Sequence, residues 1–457
     1  MDHVDNFLWT GEQFEGVELS DLRLIKRLEK ISCRMMAKPN SSIPQQNEKW
    51  KDIKATYRFY DSKKVEFLKL IQPHIKQTKK KSAKMKRILA IQDTCFISYS
   101  HHSSVERLSS IGGEKATGKG IILHSSLAVD PSKKQPEIIG LLDQYIHRRI
   151  KNVDKNESYL EKAKRWKESK IWEETSQRSI IKNSKVQIIE VMDREGDVFD
   201  IIKNCLSIEH DFLIRAKNDR ILEETSKNKL FDFVKTLDPT GVIELDVRKR
   251  PKQIPREAML NVSFSKVKIL GPKARKDEEI ECNVVYVIEK DPPENQEPLE
   301  WILLTSVDVN SFDDACQIIE WYKHRWIIEE YHKGIKSGCK VEEKQLKTVE
   351  RLENFLGVAN IIALRLLKLR DFARNMPHIS AKKVIEPLRV DILMRYNDIQ
   401  KDDITIKEYY REVAKIGGFI GRKSDGEPGW QTLWKGEVQL TFMLMGAKMA
   451  LKKKTYG

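Results

Sequence analysis

A chain of 457 residues is long enough for two to four domains and a large core. Apolar residues make up 40%, and no apolar run approaches the ~18 residues of a membrane span, so a helical membrane protein is excluded. The net charge of +15 points to a polyanionic partner, most commonly nucleic acid; a basic protein without such a partner is the alternative. The opening MDHVDNFLWTGEQFEG is acidic and has no apolar signal core, so the expectation is no export. Six cysteines are scattered without a CxxC pair and read as reduced thiols rather than a disulfide or zinc framework.

In chain order, residues 16–38 read as a helix with Ser20 as N-cap and Leu22, Ile25, Leu28 and Ile31 along one face. Pro39 ends it, and PNSSIPQQ reads as a loop. EKWKDIKATYRFYDS reads as a second helix with Trp50, Ile53 and Tyr57 inward. The two helices carry Arg23, Lys26, Arg27, Lys51, Lys54 and Arg58, which fits a small DNA-end reader or an ordinary helical cap. KQTKKKSAKMKR at 76–87 reads as a solvated basic loop, with phosphate contact as the alternative.

RILAIQDTCFISYS reads as a strand with Asp93 in its middle, beside Ile91 and Cys95 on one face. An acid amid β-branched residues is unfavourable unless it is hydrogen-bonded or has work to do. IILHSSLAVD and PEIIGLLDQY follow as further strands of an antiparallel meander. Residues 156–182 read as a long helix containing Trp166 and Trp172. VQIIEVM is a buried strand that puts Asp193 at its carboxyl end, where α/β sheets place ligands; a helix-capping role is the alternative, with Asp197 competing for it. DFLIRAK is another strand, ending near Arg215 and Lys217.

From about 220 to 300 the alternation of GVIELDVRKR, REAMLNVSFSKVKIL and EIECNVVYVIEKD predicts an antiparallel β-rich insert. PLEWILLTS returns to the core, and SFDDACQIIEWYKHRW opens a helix. Trp321 to Lys340 reads as one long helix, with Tyr322, Arg325, Glu329 and Lys336 on one face and Trp321, Ile327, Ile328, Tyr331 and Ile335 on the other. The polar face is either a solvated face with an Arg325–Glu329 ion pair or a phosphate and metal site. After Lys340 the chain is mostly helical, beginning with the apolar RLENFLGVANIIALRLLKLRDFA.

Asp93 within a first strand, Asp193 after a later parallel strand and Glu329 on a late helix can converge if the two strands are neighbours. The order strand–strand–strand–helix–strand–helix–strand–helix is that of ribonuclease H-like cores. The expected fold is therefore α/β, a mixed sheet flanked by helices, with the β-rich insert and a helical domain at each end. Oxygen-only ligands suit Mg²⁺ or Mn²⁺, and a pair of such ions drives phosphodiester chemistry.

The pattern Tyr-x2-Arg-x3-Glu-x6-Lys, here Tyr322, Arg325, Glu329 and Lys336, resembles the signature of the DDE transposases of bacterial insertion sequences. More narrowly, it resembles the insertion-sequence-four group, which includes the transposon-five transposase. IQDT around Asp93, MDREGD around Asp193, GLLDQ, FLIRAK at Arg215, PLEWILLTS at Trp301 and the late GGF…W…LW support it, so the resemblance spans nearly the whole chain. It implies a cut-and-paste DNA transposase that binds transposon ends, cleaves them with two Mg²⁺ ions (Mn²⁺ substituting) and joins the 3′-hydroxyls to target DNA. It implies Asp93, Asp193 and Glu329 as catalytic metal ligands. Arg325, Lys336 and Arg215 would grip phosphates, and Tyr322 and Trp301 would handle a displaced base; Lys333 and His332 lie near the same helix face, as DNA-binding residues or as ordinary solvated ones. The implied domains are an end-binding domain at 1–65, a catalytic domain at 66–370 with its insert at about 218–300, and a dimerisation domain at 371–457. A homodimer on DNA in the bacterial cytoplasm, without membrane attachment, completes the expectation. The rivals are a nuclease of the same core that does not join strands, and an inactive DNA-binding remnant.

Overall fold

The computed structural model describes residues 9–453 except 10, 103, 113–116, 133–135, 150–167, 224–228, 248–254, 295 and 423–424. Trp166 lies outside the described residues. The chain begins with α1 (Leu22–Ala37), α2 (Ile43–Gln46) and α3 (Trp50–Asp61). Asp21, not Ser20, caps α1: its carboxylate accepts the Arg23 N–H and its backbone is extended, as an N-cap requires. The expected loop contains α2, closed by a capping box between Ser42 and Gln45. Trp50 is 67% exposed rather than inward, because the buried face of α3 is formed by Thr56, Phe59 and Tyr60. Asp52 ties α3 to α1 through Arg27 at 3.0 Å and Arg34 at 3.1 Å, which uses two of the basic side chains internally.

The basic run at 76–87 is no loop over most of its length. It forms the second half of α4 (Phe67–Ser82), whose Leu70, Ile71, Ile75, Thr78 and Ser82 are buried while Lys76, Lys80 and Lys81 face outward. Lysine stems are compatible with a helix, and Thr78 and Ser82 hide a buried stripe that composition alone reads as polar.

The sheet contains β1 (Arg87–Ser98), β2 (Ser109–Ile111), β3 (Gly118–Asp130), β4 (Glu137–His147), β5 (Gln187–Met192) and β6 (Asp211–Arg215). Helices α5 (Lys170–Ser179) and α6 (Phe199–Ser207) flank β5 in sequence. β1 runs antiparallel to β3, β3 antiparallel to β4, and β5 parallel to both β1 and β6. The spatial order β4-β3-β1-β5-β6 is that of a ribonuclease H-like core. After α7 (Leu230–Val234) come β7 (Gly241–Val247), β8 (Arg256–Leu270), β9 (Glu279–Glu289) and β10 (Glu300–Thr305). The insert is antiparallel as expected, but it continues the core sheet. β10 pairs with β6 on one side and β9 on the other, giving a 10-stranded sheet.

Next are α8 (Phe312–Lys323), α9 (Trp326–Lys333), a π-turn at Gly334–Gly338 and the long α10 (Val349–Asn375). Leu352, Phe355, Leu356, Ala359, Ile362 and Ala363 of α10 are fully buried, so this helix is a core element as its composition indicates. The C-terminal helices are α11 (Pro387–Tyr396), α12 (Ile406–Ile416) and α13 (Trp430–Lys453). α12 and α13 cross at two glycines: a Cβ on Gly436 would lie 1.8 Å from the Val413 carbonyl oxygen, and one on Gly417 1.9 Å from that of Thr432. Both obstacles are backbone and cannot rotate away. Gly436→Ala is therefore expected to cost about 1–3 kcal/mol or more through overpacking. A denaturant midpoint equal to that of the parent would refute this close crossing. No helix among the described residues is long and apolar enough to cross a membrane.

Candidate active site

Alternation along β1 puts Ile91, Asp93 and Cys95 on one face and Gln92 and Thr94 on the other. β1 and β5 are paired only as far as Ile91 and Val191, with Ala90 opposite Glu190. Asp93 lies just past that point on β1, and Asp193 follows Met192, the last residue of β5. Extending the register would set the two acids level where the strands part, at the carboxyl ends of a parallel pair. Asp193 does not cap a helix: its Oδ1 accepts the Glu195 N–H at 2.7 Å, while α6 starts at Phe199. Asp197 is structural. Its buried carboxylate accepts the Lys217 and Asn218 N–H groups, each at 2.7 Å, and pairs with Arg220.

The expected single helix from Trp321 to Lys340 is broken twice. At His324 and Arg325 the backbone bonds become tight three-residue ones: the Arg325 N–H donates to Tyr322 at 3.0 Å, and the Ile328 N–H to Arg325 at 3.2 Å. Later the Cys339 N–H reaches Gly334 at 2.9 Å, five residues back. Gly334 faces Ala363 of α10, and such π-turns often mark functional segments. The apolar side is as expected, with Trp321, Ile327, Ile328, Tyr331 and Ile335 all buried.

Arg325 lies between the acids. Its guanidinium donates to Glu329, and its Nη1 is 4.0 Å from Asp93 Oδ2. Burial, then the Asp193 charge, pushes Asp93 up to about 7, with a smaller contribution from Glu329. Crowded carboxylates of this kind are what a divalent cation relieves, and their hard oxygens suit one. The donor set thus fits a cation in chemistry. Among the described residues, however, no three acidic, histidine or cysteine side chains are gathered closely enough to hold an ion, and Arg325 shares the acids instead.

The other expected residues divide. Tyr322 is buried, its ring edge-on to half-buried Trp301 at 6.0 Å. Arg215 donates to the Glu300 carbonyl at 2.8 Å. Together with Arg325 they line a cavity of about 770 Å³. Lys333 is exposed, whereas Lys336 is half-buried with its ammonium turned to the Cys95 thiol. His332 does not lie on the outer side. It is four residues beyond Ile328, on the buried stripe, and burial pushes it down to about 3. Its Nδ1 is 3.9 Å from Asp93 Oδ2, so it lies against the acid from the buried side.

Among the side chains of this cavity that sequence reasoning missed are Arg194 and Trp326. Each adjoins a residue already singled out, Asp193 or Arg325. Trp326 is 45% exposed, and an aromatic on the polar side of an amphipathic helix was a readable signal.

Three family models match the chain: transposase DNA-binding over residues 7–65, transposase DDE domain over 162–365, and transposase Tn5 dimerisation domain over 361–457. Among solved structures, a piggyBac transposase synaptic complex with hairpin DNA aligns with 98% of this chain and 82% of its own. The identity is 11% and the TM-score 0.38. The chain belongs to the DDE transposases. It is a cut-and-paste transposase that binds DNA, pairs with a second copy and depends on a divalent metal.

Proposed function

We propose that Asp93, Asp193 and Glu329 bind two Mg²⁺ ions, that this site cuts both strands at the transposon ends, and that it joins the freed 3′-hydroxyls to target DNA. The observation that carries this reading is that Asp93 and Asp193 both lie just past the last β1–β5 pair and crowd each other, with Glu329 linked to Asp93 through Arg325. Bound there, the ions supply Lewis-acid polarisation of the phosphodiester and a nucleophile at neutral pH. Arg325 offers a planar fork that can take a phosphate with two hydrogen bonds. Arg215, Lys333 and Lys336 add positive charge around the cut. His332 supports Asp93 from behind. The proposed division is 1–65 for end binding, 66–370 for catalysis and 371–457 for dimerisation, in a bacterial cytoplasmic protein.

The test is an incubation of the protein with end DNA, a target plasmid and Mg²⁺. Target-joined ends are expected. Cleaved ends that never join would favour the nuclease reading, and no cleavage in any divalent metal would favour an inactive remnant.

Trp301 and Tyr322 would hold a base displaced beside the cut, in the cavity they share with Trp326. Base–aromatic stacking contributes about 1–3 kcal/mol, so Trp301→Ala is expected to slow second-strand release by roughly 10-fold or more while first-strand nicking stays near normal. Trp301→Phe should recover part of that step. Equal loss of both steps, with a large fall in melting temperature, would instead make Trp301 a packing residue.

A further inference from the structure

Behind Asp93, on the opposite face of β1, lies a buried polar chain for which the reaction has no direct use. The Gln92 amide nitrogen donates to Glu190 Oε2 and to Ser176 Oγ, both at 2.8 Å. A carboxylate acceptor turns the Gln92 oxygen toward His124, whose Nε2 lies 3.0 Å away and must therefore carry the proton. With Nε2 protonated, Nδ1 accepts from the Thr94 hydroxyl at 2.8 Å. The Thr94 N–H in turn donates to Asp93 Oδ1 at 2.8 Å. At the far end Glu190 Oε1 accepts from His210 Nδ1 at 2.8 Å.

Gln92, His124, Ser176 and Glu190 are fully buried, and Trp172 packs edge-on to the His124 ring at 4.6 Å. Burial keeps His124 neutral, as its acceptor role toward Thr94 requires. Each bond direction thus follows from one carboxylate, and such chains strengthen link by link.

The placement gives the chain a purpose. Asp93 and Thr94 lie beyond the last β1–β5 pair, so only β3, through Ser125 and His124, holds them by a strand ladder. An acid at the free end of a parting strand needs restraint from elsewhere. We propose that Thr94, His124, Gln92 and Glu190 are positioning residues whose buried hydrogen-bonded chain fixes β1 at Asp93 and so holds its carboxylate ready for the cation.

This rests on the reading of Asp93 as a metal ligand, and the experiment separates the two. Mn²⁺ binding to the full-length protein is measured by electron paramagnetic resonance of free Mn²⁺, alongside end-DNA binding. Thr94→Val should weaken Mn²⁺ binding by about 10–100-fold, the usual effect of removing a group that orients a ligand, with end binding unchanged. Thr94→Ser keeps the hydroxyl and should restore most of the affinity. His124→Phe removes the acceptor for Thr94 together with the donor for Gln92, so it should weaken Mn²⁺ binding at least as much as Thr94→Val; it decides the matter if the valine variant does not fold. Parent-like Mn²⁺ affinity in these variants, or Thr94→Ser binding no tighter than Thr94→Val, overturns the inference. If Asp93→Asn retains Mn²⁺ affinity, the metal-ligand reading fails first and this inference falls with it.

Discussion

Asp93→Asn, Asp193→Asn and Glu329→Gln are each expected to lower end cleavage by roughly 10³-fold or more, because each removes an anionic oxygen worth several kcal/mol of transition-state stabilisation. End binding should change little, since the residues assigned to it lie elsewhere. The three effects should not add: once one ligand is gone the site no longer works as a unit, so the double variant Asp93→Asn/Glu329→Gln should be hardly worse than either single one. The structure adds a distinction between the acids. Glu329 is bonded to Arg325, and removing its charge frees that guanidinium. Asp93 is half-buried, raised to about 7 by desolvation and Asp193, and its asparagine variant relieves crowding. Asp93→Asn is therefore expected to raise thermal stability slightly while abolishing cleavage, a combination that sets a functional acid apart from a structural one. Cleavage on labelled end DNA, with binding by gel shift and melting by circular dichroism, gives all three readings. Near-normal cleavage by the Glu329→Gln variant would sink the assignment.

Binding of short end DNA should fall by about 10³–10⁵ in affinity between 50 and 200 mM salt, the response of a protein that neutralises six to ten phosphates. The formal charge of +15 invites a larger figure, but it is an excess summed over the whole chain, and only the cations that meet phosphates release counterions. Arg27 and Arg34 are both paired to Asp52, Arg148 to Glu353, and Arg389 is buried against Glu437. Lys80, Lys81 and Lys333 point outward, and Lys76, also exposed, pairs with Glu18 at 3.0 Å. The slope of log affinity against log salt therefore counts phosphates contacted, not lysines present. A flat response would remove nucleic-acid phosphate as the partner.

Much of this could be read before any coordinates were in hand. β1 and β5 were legible because apolar β-branched runs flank one misplaced acid, or end on one, and that signal is local. The Tyr–Arg–Glu–Lys spacing was legible for the same reason. What the sequence hid were phases and contacts. Trp50 reads as core from a period counted from the wrong residue, and the tertiary contact of α3 with its neighbours sets the true face. Lys76–Lys81 read as a loop because Thr78 and Ser82 look polar, yet both are buried in α4. The Trp321–Lys340 stretch reads as one helix because nothing in residue preference forces a break at His324.

The sequence by itself thus determined most of the strands, their order and the acids proposed as ligands, because periodicity and residue chemistry act over a few neighbours. Only the tertiary structure decided four things: that the insert continues the core sheet, that His332 turns inward, that Arg325 shares the acids, and that Gln92, His124 and Glu190 meet behind Asp93. Each depends on strands or helices far apart in the chain packing against one another. Such contacts are fixed by burial and long-range pairing, which no local pattern encodes.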